Sequence, residues 1–338
     1  MKEVAIVILN YNGRDYLNKF LPGLIQFSTP HEVIVADNAS TDDSIDLLRN
    51  QFPEVRLIIL PENYGYAGGY NEALKRIEAN YYILVNSDIE VTEGWVEPLI
   101  KPLRENDEVV AVQPKIRSYH EKEKFEYAGA AGGYIDWLGY PFCRGRIFDE
   151  LEEDNGQYDN ITEIFWSSGA CFAIRRDTFH ELHGFESEFF AHMEEIDLCW
   201  RIQNTGKKIL FTPESVVYHV GGGTLSSLNP RKTFLNFRNG LFLLVRNNPL
   251  WRLFYIIPVR SALDLVAAIK FIFEGNGNHA LAIVKAHWQA ATPSFRYLRE
   301  QESKKGSSNR YISSKSTVFQ YFIRKKRKYS QIKFKWDN

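Results

Sequence analysis

YYILVNSD, residues 81–88, carries five apolar side chains in a row and stops on Asn86, Ser87 and Asp88. An unbroken apolar run of this length, without polar alternation, is what a strand buried on both faces looks like. Working outward, VAIVILN (4–10), EVIVAD (32–37), VRLIIL (55–60) and VVAVQ (109–113) repeat the pattern. Helical periodicity fills the gaps, near 14–27, 43–51, 67–79 and 94–105. Ser40 with Asp43 has the spacing of a capping box for the second of these helices. Strand–helix alternation predicts an α/β fold with a doubly wound, mostly parallel sheet, helices on both faces and right-handed crossovers. Asn10, Asp37 and Asp88 then fall at the carboxyl ends of three strands, and Asn63 follows a fourth. That edge is where open α/β sheets bind ligands.

The 338 residues hold 44% apolar and 25% charged side chains, ordinary for a globular chain with one large core or two smaller ones. A net charge of −1 hides an asymmetry. Residues 296–338 carry 13 Lys/Arg against 3 Asp/Glu, while the first 295 carry 28 against 39. The three cysteines have no CxxC spacing and an odd count, which points away from a zinc site or disulfide framework and towards a reduced, cytoplasmic setting. The opening MKEVAIVILNYNG lacks the pattern of a signal peptide. Arg252, Arg260, Asp264 and Lys270 interrupt the most hydrophobic region, so no window reaches the ~18 uncharged apolar residues of a membrane span.

Beyond residue 115 the periodicity weakens into Gly, Tyr and acidic residues, read as irregular loops to about 165. EIFWSSGACFAIRR (163–176) resumes as a strand, and KILFTP and SVVYHV read as a strand pair. Between them FFAHMEEIDLCWR (189–201) places Glu194, Glu195 and Asp197 in the first turns of a helix. At ~100° per residue Glu194, Asp197 and Arg201 share one stripe, and Glu195 lies over the apolar stripe of Leu198, Cys199 and Ile202. Partial desolvation there would raise the basicity of Glu195, while the helix N-terminus opposes that shift. A solvated acidic helix start has the same sequence.

The ordered blocks VILNYNG, VADNASTDDS, LPENYGYAGGYNEAL, LVNSD, WSSGACFAIRR, HGFESEFFAHMEEIDLCWR and VVYHVGGGT resemble glycosyltransferase family 2, in its bacterial rhamnosyltransferase-like branch, over roughly residues 3–245. No single block is diagnostic; their order and spacing are. The resemblance implies a GT-A fold, Rossmann-like, with a nucleotide-sugar-binding half (1–113) and an acceptor or catalytic half (114–245). It implies an inverting hexosyltransferase that uses a UDP- or dTDP-linked sugar, with rhamnose as one candidate, in cell-surface polysaccharide synthesis.

Carried onto this chain, the resemblance makes Glu195 the catalytic base, where the family more often has Asp. Glu194, Asp197 and Arg201 would position the acceptor. Asp37 and Asn38 would recognise uracil or thymine together with Asn10, although Asn, Ser and Asp also simply favour turns. Asn63, Asn71 and the Gly68–Gly69 pair would lie near the donor, the glycines letting backbone N–H groups approach a phosphate or merely making a turn. Asn86-Ser87-Asp88 takes the place of the family's Asp-x-Asp motif. It leaves Asp88 and the donor diphosphate to hold Mg2+ or Mn2+, with His219 as a possible imidazole ligand or a structural residue beside Gly221, Gly222 and Gly223. Trp166 could stack on a sugar, though aromatics in strands are mostly core. Arg238 could fork onto diphosphate oxygens or make a surface salt bridge.

Two rivals remain open at this point. A sugar nucleotidyltransferase would need a basic Gly-rich loop after the first strand, and NYNGRDYL has one Gly and one Arg. A nucleotide-sugar-binding scaffold is allowed by Asn86. Residues 246–295 read as an amphipathic helical extension whose Arg and Lys could snorkel to headgroups, and 296–338 as a basic, partly disordered tail. These features predict a glycan or lipid-linked acceptor and peripheral association with the anionic inner face of the cell membrane. Nucleic acid is not expected, because no recognition motif accompanies the basic run. An ordinary buried helical pair with a disordered tail is the plainer reading.

Overall fold

The apolar runs form the centre of the molecule. The structure, a computed structural model, describes residues 2–221, 229–301 and 312–336. In chain order the elements are β1 (Lys2–Asn10), α1 (Arg14–Ser28), β2 (Glu32–Asp37), α2 (Ser44–Gln51), β3 (Arg56–Ile59), α3 (Gly65–Leu74), β4 (Ala79–Asn86), β5 (Ile89–Val91), α4 (Glu97–Glu105) and β6 (Val109–Ser118). A small meander follows: β7 (Gly133–Asp136), β8 (Pro141–Cys143), β9 (Arg146–Ile147) and β10 (Glu150–Leu151). Then come β11 (Thr162–Glu163), β12 (Cys171–Arg175), α5 (Arg176–Glu181), α6 (Glu194–Asn204) and β13 (Lys208–His219). The chain closes with α7 (Pro230–Asn247), α8 (Leu250–Phe273), α9 (Gly277–Gln301) and β14 (Ile312–Ser313).

The main sheet runs β3-β2-β1-β4-β12-β6-β13-β11, with β5 on β13. Strands β1 to β4 pair in parallel, β12 is inserted antiparallel between β4 and β6, and β13 runs parallel to β6. Alternate side chains of one strand serve two cores. Val4, Ile6 and Ile8 pack with α1, α2 and α4, whereas Ala5 and Val7 pack with α3 and α6. Burial on both faces is why these strands show no polar alternation.

Several expectations are corrected. EIFWSSGACFAIRR is two strands, because the Ser168 N–H bonds the Gln113 side chain (2.8 Å) and residues 167–170 leave the ladder. KILFTP and SVVYHV are one strand with a bulge between Thr212 and Val216, around Pro213, which has no N–H for the ladder. The capping box does not form: Asp43 is the N-cap without a side-chain bond, and the Ser40 hydroxyl is taken by Asp37 (2.7 Å). The stretch expected to be loops contains a second sheet, β10-β9-β8-β7-β14.

Its last strand comes from the tail, paired in parallel with β7. Tyr329, Ile332 and Phe334 are buried, and the Trp336 ring stacks on Tyr134 (4.8 Å) and Phe334 (5.0 Å). Residues 312–336, within the tail expected to be partly disordered, pack against this sheet. The aromatic residues interleaved with its basic ones are the reason. Residues 302–311 lie outside the described residues, as do Gly222 and Gly223.

Candidate functional site

The site is built around the segment that leads into α6. Phe190, His192 and Met193 all have left-handed backbone (φ 63°, 72° and 74°), a conformation that costs non-glycine residues energy and persists where the surroundings hold it. Three sets of bonds hold it. The Asn239 side-chain amide, fully buried on α7, lies within hydrogen-bond reach of the carbonyls of Phe189 (2.9 Å), Ala191 (2.9 Å) and His192 (2.7 Å). The Arg238 guanidinium donates to the carbonyls of Glu188 (2.9 Å) and Phe189 (3.2 Å). The Phe190 carbonyl accepts from the N–H groups of Tyr66 (2.7 Å) and Ala67 (3.3 Å) at the start of α3. Gly65 makes that approach possible, since a Cβ there would sit 2.5 Å from the Phe190 oxygen.

The three carboxylates of α6 separate by environment. Asp197 is fully buried and bonded by Arg201 Nε (2.8 Å) and Asn247 Nδ2 (2.8 Å), with Arg246 Nε 3.2 Å away. Burial alone would raise its pKa, but the two guanidiniums and the amide hold it below the usual carboxylate range. Glu194 is also buried, with one carboxyl oxygen lacking any partner. Burial first, and then the neighbouring Glu195, push it well above the ordinary value. Glu195 is only half-buried, and one of its oxygens also has no partner. Burial raises its pKa to about 7, against the pull of backbone N–H groups at the helix start. Glu195 is thus the one of the three that is partly exposed and sits near neutrality.

One turn links Glu195 to the end of β4. At Gly169 a Cβ would lie 3.7 Å from Glu195 Cγ and 3.0 Å from the Tyr66 hydroxyl. Tyr66 donates to the Gly169 carbonyl (2.6 Å), and the Ala170 carbonyl accepts the Asn86 N–H (2.9 Å). Two residues on, Asp88 Oδ1 lies 3.2 Å from His219 Nε2, and Glu126 Oε2 lies 3.1 Å from the opposite ring nitrogen. Burial opposes charging of His219, yet Glu126 and Asp88 together raise its pKa to about 10. Asp88 is correspondingly held low by the imidazolium, although burial acts in the opposite direction.

The donor set fits a divalent ion in part. A carboxylate on Nδ1 is the orientation that metal-bound histidines use, and it leaves Nε2 converging on Asp88. Among the described residues no group of three or more His, Cys, Asp or Glu is arranged to hold a metal alone. Asp88 and His219 would need water and substrate phosphates to complete the coordination.

Of the polar residues expected to contact the nucleotide, Asn10, Asp37 and Asn38 are buried, Asn71 is half-buried and Asn63 is exposed. Asp37 is fully buried; it accepts from the Ser40 N–H (2.9 Å), the Ser40 hydroxyl (2.7 Å) and Asn10 Nδ2 (2.9 Å). Asn38 donates to Asn63 Oδ1 (3.0 Å) and the Gly65 carbonyl (3.0 Å), and accepts from the Tyr64 N–H (3.1 Å). Together they brace the loops after β1, β2 and β3, leaving Tyr11 and Asn12 exposed at the rim. The glycine pair serves packing. Gly68 and Gly69 are buried, their missing Cβ atoms making room for Tyr64 (2.8 Å) and Leu9 (2.9 Å), and the first amides of α3 are committed to Phe190. Asn71 staples α3 to the Phe185 backbone through bonds of 2.7 and 2.9 Å.

Two further corrections follow. Trp166 is core: its ring lies under Gly133, where a Cβ would be 2.1 Å away, and its Nε1 donates to the Tyr134 carbonyl (2.8 Å). Arg238 spends its fork on loop carbonyls, as described above. Sequence reasoning missed Glu126, Tyr66 and Asn239, which are single polar residues in ordinary contexts and show their roles through partners 47 to 103 positions away. Asn239 is the most legible of the three, since a polar residue on the helix face shared with Leu235 and Phe242 needs a partner.

A sequence model described as Glycosyl transferase family 2 matches residues 5–182, just over half of the chain. The N-acetylglucosaminyl-diphospho-decaprenol L-rhamnosyltransferase of Mycobacterium tuberculosis is 25% identical over 232 residues, 64% of this chain and 75% of that protein. An O-antigen biosynthesis protein of Myxococcus xanthus is 25% identical over 225 residues, covering 64% of this chain and 17% of its own much longer one. The structure of GalNAc-T7 with UDP, GalNAc and Mn2+ superposes with a TM-score of 0.56 at 16% identity, over 73% of this chain and 48% of that one. At that identity the likeness is one of fold.

Proposed function

The chain belongs to glycosyltransferase family 2 and has the GT-A fold, and from that premise we propose that it is an inverting transferase with Glu195 as its base. The observation that carries this reading is the environment of Glu195. It is the partly exposed carboxyl of the three, just past a braced left-handed segment, with a pKa raised to about 7 by burial. A base poised near the working pH is at its most effective.

In the proposed reaction Glu195 takes the proton from an acceptor hydroxyl as that oxygen bonds the anomeric carbon from the face opposite the nucleotide. The bond from that carbon to the diphosphate oxygen breaks, and the nucleoside diphosphate leaves with the electron pair. Asp88 and His219 would hold the Mg2+ or Mn2+, with Asn86 nearby, and when bound the ion neutralises charge on the departing diphosphate. His219, whose pKa Glu126 and Asp88 raise to about 10, would have to release its Nε2 proton to solvent before that nitrogen could serve as a ligand. Asp197 and Arg201 position the acceptor side indirectly, by fixing the helix that carries Glu195. Asp37, Asn38, Asn10, Asn63 and Asn71 act likewise on the donor side, by fixing the loops whose exposed Tyr11 offers a ring for base stacking.

A UDP- or dTDP-linked sugar is the proposed donor. Rhamnose is favoured by the rhamnosyltransferase relative, and a lipid-linked saccharide acceptor by the substrate that its name carries. Polysaccharide synthesis at the cytoplasmic, anionic face of the membrane is the proposed setting. The test is transfer from a panel of nucleotide sugars by wild type and Glu195→Gln, with donor binding read separately by thermal shift. Loss of transfer with donor binding intact is expected; near-normal transfer by the variant overturns the assignment.

A further inference from the structure

Helix α8 is built inside out. Its buried side carries an ion pair, Arg260 Nε to Asp264 Oδ1 at 2.8 Å, with the two residues 4% and 1% exposed. Asp264 Oδ2 also meets His287 Nε2 on α9 (3.0 Å), and Arg260 donates to the Leu138 carbonyl (3.2 Å). Arg260 therefore does not snorkel outward as the sequence suggested. The side away from the protein carries Trp251, Phe254, Leu265, Val266, Ile272 and Phe273, with Phe254 83% and Phe273 86% exposed. At ~100° per residue these fall within an arc of about 120°, along a helix roughly 36 Å long. Lys270 is the only charged residue among the exposed ones of α8. A helix lying on a water-soluble domain shows the opposite polarity. On α9, Trp288 is 83% exposed and Val284 lies one turn before it, so the apolar surface extends beyond one helix.

We infer that this face is the seat of the protein in a membrane, with α8 lying in the plane of an anionic bilayer and its aromatic residues in the headgroup–acyl boundary. The inference deepens, and for its biological purpose rests on, the reading that the acceptor is held at a membrane. Among the described residues no helix is long and apolar enough to cross one, and an in-plane helix needs only one apolar side. Charge selects the occupant. The ordered tail lies beside the start of α8: Trp137 packs on Tyr255 (6.2 Å) and donates its N–H to the Ser313 carbonyl (2.9 Å), and Lys335 lies close enough to Arg252 to feel its charge. The same tail carries the mostly exposed run Arg324 to Lys328, in which Arg327 pairs with Glu150. No acidic residue is exposed on α8 to answer that basic edge in a second copy of the chain. Phosphate headgroups do answer it.

Attachment through the tail alone would be electrostatic and would vanish in high salt; attachment through α8 would not. The experiment is flotation of the full chain with phosphatidylglycerol–phosphatidylcholine vesicles at low and molar salt. Wild type should float in both, and Phe254→Ser/Phe273→Ser should lose on the order of tenfold or more in vesicle partitioning at either salt. Lys325→Glu/Lys326→Glu should weaken flotation at low salt only. In the wild type, the Trp fluorescence of Trp251 and Trp288 should be quenched by brominated acyl chains, a reading that does not depend on how the variants fold. Unquenched fluorescence, salt-abolished flotation, or a stable dimer that hides the face and does not float would each overturn the inference. None of these readings uses transfer activity, so failure here leaves the assignment of Glu195 standing, and an inactive enzyme would leave the membrane face standing.

Discussion

Replacing Glu195 by Gln should make the protein inactive and, above neutral pH, more stable. The reasoning starts from a carboxyl whose pKa moves from 4.5 in the open chain to about 7 in the fold. Below pH 4.5 both states hold the proton, and the group imposes no penalty. Between 4.5 and 7 the unfolded chain releases the proton while the folded one keeps it, so stability falls as pH rises, by about 1.4 kcal/mol per unit. Above 7 the penalty levels off at ~3 kcal/mol, or about 1–3 kcal/mol allowing for the partial opening of the side chain to solvent. Gln has the same shape and no proton to lose, and it also removes the charge that helps push up Glu194. Urea unfolding of wild type and Glu195→Gln between pH 4 and 9 should give curves that coincide at the acid end and separate steadily to pH 7. Transfer by wild type should rise with pH through an apparent value near 7, since the base acts deprotonated, and the variant should lose about 10²–10⁴-fold. Parallel stability curves would refute the desolvation argument; a separation of the curves with transfer unimpaired would refute the role as base.

Three other perturbations test the frame around that residue. Asn239→Ala should cost ~1–3 kcal/mol in unfolding free energy and lower kcat by roughly 10–100-fold with little change in donor KM, because the amide holds a loop rather than a ligand; an unchanged kcat would count against it. Asp88→Asn should abolish the thermal shift given by Mn2+ with a nucleoside diphosphate, and Glu126→Gln should weaken apparent Mn2+ affinity by about 10–100-fold. Chelation should stop transfer by the wild type, and activity surviving exhaustive chelation would remove the metal from the scheme. Deleting residues 312–338 should lower Tm sharply, since burial of Tyr329, Ile332 and Phe334 is worth on the order of 5 kcal/mol; an unshifted melting curve would mean the tail packs without consequence.

The half of the fold that depends on local pattern was legible, and the half that depends on remote partners was not. Continuous apolar strands, the helices between them and the ligand edge of the sheet follow from burial on two faces, which every residue of a run records. The meander at β7 to β10 has strands of two to four residues, too short for a period, and its edge is completed by β14 from some 170 residues later. The acidic cluster shows both sides of this. Helical phase paired Asp197 with Arg201, as the 2.8 Å bond bears out, but it placed Glu195 as the more desolvated carboxyl. Glu194 is the deeper of the two, because the residues that cover it belong to other parts of the chain.

The residues expected near the donor share a physical logic. Asn10, Asp37, Asn38, Asn63, Asn71 and Arg238 each bond another segment of the chain. A site at the end of a parallel sheet is assembled from loops, and loops cannot hold a reacting geometry without such bonds. Short polar side chains at strand ends are therefore needed twice, once to fix the loops and once to bind, and the first use takes most of them. What is left without such a bracing role is small: Glu195 with an unpartnered oxygen, Asp88 against His219, and the exposed Tyr11. The Phe190–Met193 segment makes the division concrete. Its strain is balanced from α3 on one side and α7 on the other, so helix α7, which leads into the extension, fixes the proposed base as much as α3 does. The helix that fixes the base leads directly into the one that offers an apolar face to a bilayer. The proposed base and the proposed membrane face are in this way carried on elements joined through α7, as action on a membrane-held acceptor would require.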